Sequence, residues 1–155
     1  MEQFPRFFRT ALKAIDESGW DPRLEAWVGA VIVKGGAVLG TGINKREANS
    51  YTALPWLVRL RPHCASLHAE VDAVCRLRRR VDLTGCRMYV ARMTRDRRIA
   101  NARPCDLCTA VLRRYGLASV AWTTIDGGWD ETRLARLNDG GRTRRSTQLR
   151  ATPSK

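Results

Sequence analysis

The chain has 155 residues, of which 44% are hydrophobic, and this is enough for one domain with a buried core. No run of about 18 apolar residues is present and the N-terminus lacks the pattern of a signal peptide, so we expect a cytoplasmic protein without a membrane partner. The 28 basic residues exceed the 15 acidic ones, and the net charge of +13 favours a nucleic-acid or nucleotide partner. A compositional bias toward arginine is the alternative explanation of this charge.

The five cysteines do not indicate a disulfide framework. Their number is odd and nothing marks the chain for secretion, so we expect reduced thiols. Only Cys105 and Cys108 have the spacing of metal ligands. Cys75 lies in a helix-like run and Cys86 begins a strand-like run, so both are expected to be buried.

In the first half of the chain, hydrophobic periodicity predicts one helix and two strands. Residues 6–18 have apolar side chains at helical spacing and are followed by a glycine. The apolar runs 27–33 and 37–43 are separated by a glycine-rich turn at 34–36, which is typical of a hairpin. Residues 44–62 are predicted to form an irregular connection.

The second half is predicted to contain helices at 67–80 and 105–115, strands at 86–92 and 117–122, a basic loop at 93–103 and a short helix at 130–138. From Gly140 onward there are five basic residues and no acidic ones. We therefore expect a single domain at 1–138 and a disordered basic tail at 139–155. The order of elements predicts an α/β fold, a three-layer α/β/α sandwich with a central mixed sheet.

The residues that carry chemistry are His68-Ala69-Glu70 and the pair Cys105 and Cys108, each at the predicted start of a helix. Positions three apart on a helix share a face, so both thiols can bind one metal ion. The helix N-terminus also favours the thiolate form. One histidine and two thiolates leave a tetrahedral zinc ion one ligand short, which is typical of a catalytic site open to water. A carboxylate beside that water, Glu70, can transfer protons.

Three other interpretations of these residues remain open. A closed structural zinc site would need a fourth ligand, and Cys64 or His63 are the candidates. A redox role for the cysteine pair would leave His68 and Glu70 without a function. A zinc-bearing binding module without turnover is disfavoured because Glu70 is present.

Over residues 26–125 the chain resembles the cytidine deaminase superfamily. HAEVDAV is similar to the first zinc helix of deoxycytidylate deaminase-like and AID/APOBEC-like proteins, and RPCDLCTAVLRRYGLASVAWTT resembles their second zinc helix and the strand after it. The resemblance implies a sheet of about five strands and a preference for cytosine over adenine. It also implies one zinc ion per chain and an acid/base carboxylate, at His68, Cys105, Cys108 and Glu70.

The same resemblance suggests two contacts to a nucleoside. Asn44, at the end of the second predicted strand, corresponds to a sugar-binding asparagine, although a turn or cap role is the alternative. The backbone N–H of Ala69 is expected to face the pyrimidine carbonyl.

Basic and aromatic residues surround the expected pocket mouth. Base or sugar contacts are predicted at Trp56, His63, Trp122 and Thr123. Phosphate contacts are predicted at Arg59, Arg61, Arg95, Arg97 and Arg98. Each tryptophan could instead pack in the core, and His63 could be an ordinary loop residue.

Together these features favour deamination of cytosine in single-stranded DNA, which needs several cations for phosphates and aromatic faces for bases. A free deoxycytidine nucleotide is the main alternative, and RNA or adenine substrates are further ones. The sequence leaves the oligomeric state open.

Overall fold

The computed structural model of the protein describes residues 4–46, 56, 66–134 and 144–145. These residues include three helices, α1 (Arg6–Glu17), α2 (Ala69–Leu77) and α3 (Asp106–Arg114). The strands within the same residues are β1 (Ala26–Lys34), β2 (Ala37–Ile43), β3 (Arg87–Thr94), β4 (Ile99–Ala100), β5 (Ser119–Thr123), β6 (Trp129–Arg133) and β7 (Arg144–Arg145).

All of these strands form one mixed sheet in the order β2-β1-β3-β5-β6-β7, with β4 paired to β3. The β3–β5 pair is parallel and the other pairs are antiparallel. The five strands β1, β2, β3, β5 and β6 each have five or more residues. The expected mixed sheet is therefore confirmed, and two very short strands extend it.

Helices cover the sheet on both faces, as a three-layer sandwich requires. The helix α1 packs on one face in a cluster that contains Phe8 and Val31. The helices α2 and α3 pack on the other face in a cluster that contains Ile32, Val71 and Val111. Successive side chains of a strand point to opposite faces, which is why Val31 and Ile32 of β1 join different clusters.

Two glycines allow α1 and α2 to lie very close to the sheet. A Cβ atom at Gly42 would lie 2.9 Å from the Cα atom of Ala73 in α2 and closer still to the backbone nitrogen of that residue. On the other face, a Cβ atom at Gly29 would lie 2.9 Å from the carbonyl carbon of Ala11 in α1. Any side chain at either position would push a helix away from the sheet.

The prediction of a short helix at 130–138 is wrong for its first residues, because Trp129–Arg133 form β6. This strand pairs antiparallel with β5 along its whole length, from Ser119 opposite Arg133 to Thr123 opposite Trp129. A turn containing Asp126 and Gly127 connects the two strands, and Gly127 has a φ of 78°. An Asp-Gly pair is typical of a hairpin turn. Pairing with a neighbouring strand thus outweighs the weak local preference of this polar segment.

The prediction of a loop at 93–103 is wrong for part of its length. β3 continues to Thr94, and β4 returns beside it with Met93 opposite Ile99 and Arg92 opposite Ala100. Arg97 lies in the turn between them with a φ of 59°. The segment is therefore a short β-hairpin, called here the β3–β4 hairpin (residues 87–100).

The boundary expected at residue 138 and most of the expected tail lie outside the described residues. Within the tail the structure describes Arg144–Arg145, which pair antiparallel with Asp130 and Glu131 of β6. No helix in the described part of the chain has the length and apolar character needed to cross a membrane.

Candidate active site

His68 lies at the entrance of α2, held there by a backbone bridge to the end of β2. The backbone of Leu67 exchanges hydrogen bonds with that of Lys45, with N···O distances of 2.9 and 2.8 Å. His68 itself has an extended conformation and is the N-cap of α2, and its carbonyl accepts the first helical hydrogen bond from Asp72. The residue directly before the helix is thereby fixed relative to the sheet.

Cys105 and Cys108 lie at the entrance of α3, on the same side of the sheet. Cys105 is the N-cap, and its sulfur accepts a hydrogen bond from the backbone N–H of Cys108 at 3.5 Å. N-cap side chains commonly accept such bonds from free helical N–H groups, which also favour negative charge there. The predicted start of this helix and the shared face of the two thiols are confirmed.

The three side chains converge to a geometry that suits zinc. His68 Nδ1 is 3.6 Å from Cys105 Sγ and 3.3 Å from Cys108 Sγ, and the three atoms all lie within 4.8 Å of one another. A tetrahedral zinc ion with ordinary Zn–N and Zn–S bond lengths separates nitrogen and sulfur by about 3.6 Å. The residues present therefore fit the metal.

Among the described residues, no fourth histidine, cysteine or acidic side chain joins this group. His63 and Cys64, the candidates for a closing ligand, lie outside the described residues. Cys75 is half-buried and Cys86 is buried, and within the described residues neither belongs to the metal-binding group. Within the described residues, the donor set is thus the three-ligand set typical of catalytic rather than structural zinc sites.

The pKa values of the Cys105 thiol and the Glu70 carboxyl group are shifted in opposite directions. A hydrogen bond from the Cys108 side chain, with further help from His68 and the backbone N–H of Cys108, lowers the pKa of Cys105 to about 3. Cys105 is therefore ready to bind metal as a thiolate. Glu70 is only 5% exposed, and burial raises the pKa of its carboxyl group. A carboxylate in such surroundings can bind a proton more readily than one in water.

Asp72 is a buried acidic residue that the sequence analysis did not identify. It is 2% exposed, and its carboxylate accepts a hydrogen bond from the backbone N–H of Ile43 at 3.1 Å. It also forms ion pairs with Lys45 at 3.1 Å and Arg76 at 3.0 Å. Asp72 thus joins α2 to the end of β2 next to His68. Its position one helical turn after His68 was the available sequence signal.

Asn44 lies at the end of β2, where its side-chain amide interacts with β1. Its Oδ1 accepts a hydrogen bond from the backbone N–H of Val28 at 2.7 Å, and its Nδ2 donates one to the carbonyl of Ala26 at 2.9 Å. These bonds favour the structural role that was the alternative for this residue. Ala69 is fully buried at the first position of α2.

The predicted base-contacting residues are placed differently from one another. Trp56 is half-buried, packs against the core beside α2 and α3, and lies 4.6 Å below the Arg114 guanidinium. Trp122 is 3% exposed and belongs to the same core cluster as Ala69 and Cys108. Its exposed neighbour Arg103 is 5.8 Å from the ring centroid. This burial favours the core role that was the alternative for Trp122.

Thr123 is fully buried, and its hydroxyl joins three strands. It donates a hydrogen bond to the carbonyl of Ala100 at 2.8 Å and accepts one from the backbone N–H of Arg92 at 3.2 Å. The hydroxyl therefore stabilises the β3–β4 hairpin by binding backbone groups of both of its strands.

The predicted phosphate-binding arginines separate into two groups. Arg95 donates hydrogen bonds to the carbonyls of Leu24 and Pro22, at 3.2 and 3.4 Å. The guanidinium of Arg97 is 3.5 Å from the ring centroid of Trp20. These contacts bind both side chains to the connection between α1 and β1. Arg98 is exposed like them, but within the described residues its guanidinium has no such contact. The remaining predicted contacts, Arg59, Arg61 and His63, lie outside the described residues.

Residues 1–124 match the family model described as "Cytidine and deoxycytidylate deaminase zinc-binding region". The chain belongs to this deaminase family. The match covers most of the chain, including the three candidate metal-binding side chains and Glu70. This deaminase is accordingly a zinc-dependent hydrolase, and His68, Cys105 and Cys108 form the group that could hold the zinc ion among the described residues.

Solved structures of deaminases share the fold of this chain. A cytidine deaminase from Burkholderia pseudomallei is 22% identical with a TM-score of 0.60, and the match covers 85% of this deaminase and 93% of that chain. A cytidine deaminase from Mycobacterium leprae is 20% identical with a TM-score of 0.52, covering 86% and 95%. The dCMP deaminase of cyanophage S-TIM5, solved with dCMP and dUMP, is 21% identical with a TM-score of 0.53, covering 79% and 84%. These similarities establish the fold of the deaminase. A comparison with curated proteins gave no match.

Proposed function

We propose that this deaminase hydrolyses cytosine to uracil in single-stranded DNA, with one zinc ion held by His68, Cys105 and Cys108 and with protons moved by Glu70. The net reaction adds water at C4 of the base, breaks the C4–amino bond and releases ammonia. When bound, zinc supplies a Lewis acid that makes hydroxide available near neutral pH.

The protein's own part in the reaction is positioning and proton transfer. Glu70 lies two residues after His68 in the first turn of α2, and its carboxyl group is within hydrogen-bonding reach of the Cys108 sulfur. From this position it would accept one proton from the attacking water and deliver it to the ring nitrogen N3. It would then accept the second proton from the new C4 hydroxyl and deliver it to the amino group, which leaves as ammonia. Its burial supports this role, because a desolvated carboxylate holds a proton more strongly.

The observation that favours a polynucleotide is the basic β3–β4 hairpin, which leads within five residues into the metal ligand Cys105. A fully extended chain of five residues spans at most about 18 Å, so this hairpin lies near the site. The net charge of +13 agrees with a partner that carries many phosphates. One phosphate group would need only one or two of these cations.

A free deoxycytidine nucleotide is the second candidate substrate. It is supported by the family description, which includes deoxycytidylate deaminases, and by the dCMP and dUMP bound to the cyanophage enzyme. The same zinc site and the same proton transfer would serve either substrate, and so the surroundings of the pocket decide between them.

The proposal is tested by incubating the zinc-loaded protein with a DNA oligonucleotide that contains one cytosine, and separately with dCMP and with the corresponding RNA. We expect uracil in the DNA, and a Glu70→Gln variant as control should leave all substrates unchanged. Uracil formed only from dCMP would replace the proposal by the second candidate. Inosine formed from an adenine oligonucleotide, with cytosine left intact, would contradict the choice of base.

A further inference from the structure

The arginines of the β3–β4 hairpin divide between the two faces of the sheet. Along β3, Met88 and Val90 face the cluster beneath the zinc helices, whereas Ala91 and Met93 face α1. Strand alternation therefore directs Arg92 to the zinc-helix face. This residue was not identified in the sequence analysis, because alternation becomes informative only once the two faces of the sheet are known.

Arg98 directly precedes β4, and strand alternation extended by this one residue places it on the same face as Arg92. Its neighbour Ile99 packs in the cluster beneath α1, so alternation directs Arg98 to the opposite side. The backbone confirms its register, because the N–H of Thr94 donates to the carbonyl of Arg98 at 2.9 Å while Arg92 lies opposite Ala100. Arg92 and Arg98 are therefore diagonal neighbours across the hairpin, a relation that separates residues by about 7–8 Å.

Arg92 and Arg98 differ in their contacts from the other three arginines of the hairpin, which are Arg87, Arg95 and Arg97. Both are exposed, and within the described residues neither guanidinium has an ion pair. Arg87 instead forms an ion pair with Glu131 of β6. Arg95 and Arg97 contact the connection between α1 and β1 on the other face. The zinc-helix face thus presents two cations that are available to a ligand.

The location of Arg92 relates this pair to the active site. Arg92 lies opposite Val28 of β1, whose backbone N–H is bound by Asn44 at the end of β2. On its other side, the N–H of Arg92 donates to Thr123, and the carbonyl of Thr123 accepts from Ala102 in the segment that leads to Cys105. The pair therefore lies along the same edge of the sheet as the entrances of the zinc helices.

We propose that Arg92 and Arg98 bind neighbouring phosphates of single-stranded DNA and guide the strand across the mouth of the active site. This inference rests on the proposed function, since it concerns the same site and its substrate. Diagonal placement suits successive phosphates of an extended strand, and cations that track the backbone of a single strand are a common means of binding it. A nucleoside monophosphate presents a single phosphate, whereas an extended strand presents one for each arginine.

The test measures the affinity of the full-length, zinc-loaded protein for a fluorescent oligothymidylate at several salt concentrations. Because this probe has no cytosine, binding is measured separately from deamination. We expect Arg92→Ala and Arg98→Ala each to weaken binding by about 2- to 5-fold. Each should also reduce the slope of log K against log salt by about 0.7, the value for one phosphate contact with a single strand.

Two controls separate charge from folding and from net charge. Arg92→Lys and Arg98→Lys keep the positive charge and should show the same slope of log K against log salt as the wild-type protein. Arg9→Ala removes the same charge from an exposed position on α1, on the other face of the sheet, and should leave the slope unchanged. If Arg92→Ala and Arg98→Ala give the same slope as Arg9→Ala, or if the unchanged protein does not bind the probe, the inference is overturned.

The outcomes also distinguish this inference from the proposed function. If binding depends on Arg92 and Arg98 but no uracil forms in DNA, the two arginines bind phosphates and the proposal that single-stranded DNA is the substrate is refuted. If uracil forms in DNA but the Arg92 and Arg98 variants bind the probe as tightly as the wild-type protein, the DNA substrate is supported and the role of the two arginines is refuted.

Discussion

Replacing Gly42 by alanine tests the claim that close packing of α2 on β2 positions the zinc site. The new Cβ atom would lie 2.9 Å from Cα of Ala73 and nearer still to the carbonyl oxygen of Ala69. Ordinary carbon–carbon contact begins near 3.5 Å, so α2 must retreat by at least about 0.6 Å. Zinc ligands tolerate displacements of only about 0.2 Å. Because α2 follows His68 directly and carries Glu70, both would move with it.

We expect Gly42→Ala to cost about 1–3 kcal/mol of unfolding free energy, as overpacking usually does. We also expect zinc affinity to fall about 10- to 100-fold, a loss typical when the support of a ligand is disturbed. Urea denaturation measures the first quantity, and competition with a chromophoric chelator measures the second.

Gly29→Ala is the matched control, because its Cβ would clash equally with the backbone of Ala11 in α1 on the other face. It should destabilise the fold to a similar extent and leave zinc affinity unchanged. Gly40→Ala should be mild, since it meets only the flexible side chain of Leu77. Equal zinc affinities for Gly42→Ala and Gly29→Ala would refute the argument that α2 packing sets the metal geometry.

Three further substitutions test individual side chains. Glu70→Gln should keep its zinc, measured by elemental analysis, and lower turnover by at least about 100-fold, the loss expected when a general acid–base is removed; normal turnover would refute its role. Thr123→Val should lower the free energy of unfolding in urea by about 1–3 kcal/mol, because the N–H of Arg92 and the carbonyl of Ala100 lose their partner. Thr123→Ser keeps the hydroxyl and should be more stable than the Val variant. A Ser variant as unstable as the Val variant would contradict this. Asp72→Ala should lower the free energy of unfolding by about 1–3 kcal/mol, because the N–H of Ile43 loses its buried acceptor. Asp72→Asn should lower it less, because an amide oxygen can still accept that hydrogen bond and the exposed cationic partners are screened. Equal losses for the two variants would argue against the hydrogen bond.

Local sequence patterns were sufficient to predict the helices and strands that position the candidate metal ligands. The hairpin of β1 and β2 followed from two apolar runs around a glycine turn, and α3 followed from Pro104, helical periodicity and Gly116. The zinc group followed from spacing, because a histidine before one helix and two cysteines at the start of another can meet at adjacent helix entrances. These features depend on few residues that are close in the chain.

The elements that sequence reasoning missed depend on pairing between distant segments. β6 is a polar strand whose conformation is decided by β5, and β4 exists because Thr123 of β5 and Arg92 of β3 hold its backbone in place. The orientation of the hairpin arginines also requires knowledge of which face α1 covers. Asp72 was missed because an acidic residue in the first helical turn is usually exposed, and burial is visible only in the fold.

Zinc dependence is tested most directly by measuring zinc content and deaminase activity together during removal and return of the metal. We predict one zinc ion per chain in the active protein, loss of turnover in step with loss of zinc, and recovery when zinc is restored. We also predict that Cys105→Ala no longer holds the ion. Full turnover by protein freed of zinc, or full zinc occupancy in Cys105→Ala, would contradict the central claim that these three ligands hold a catalytic metal.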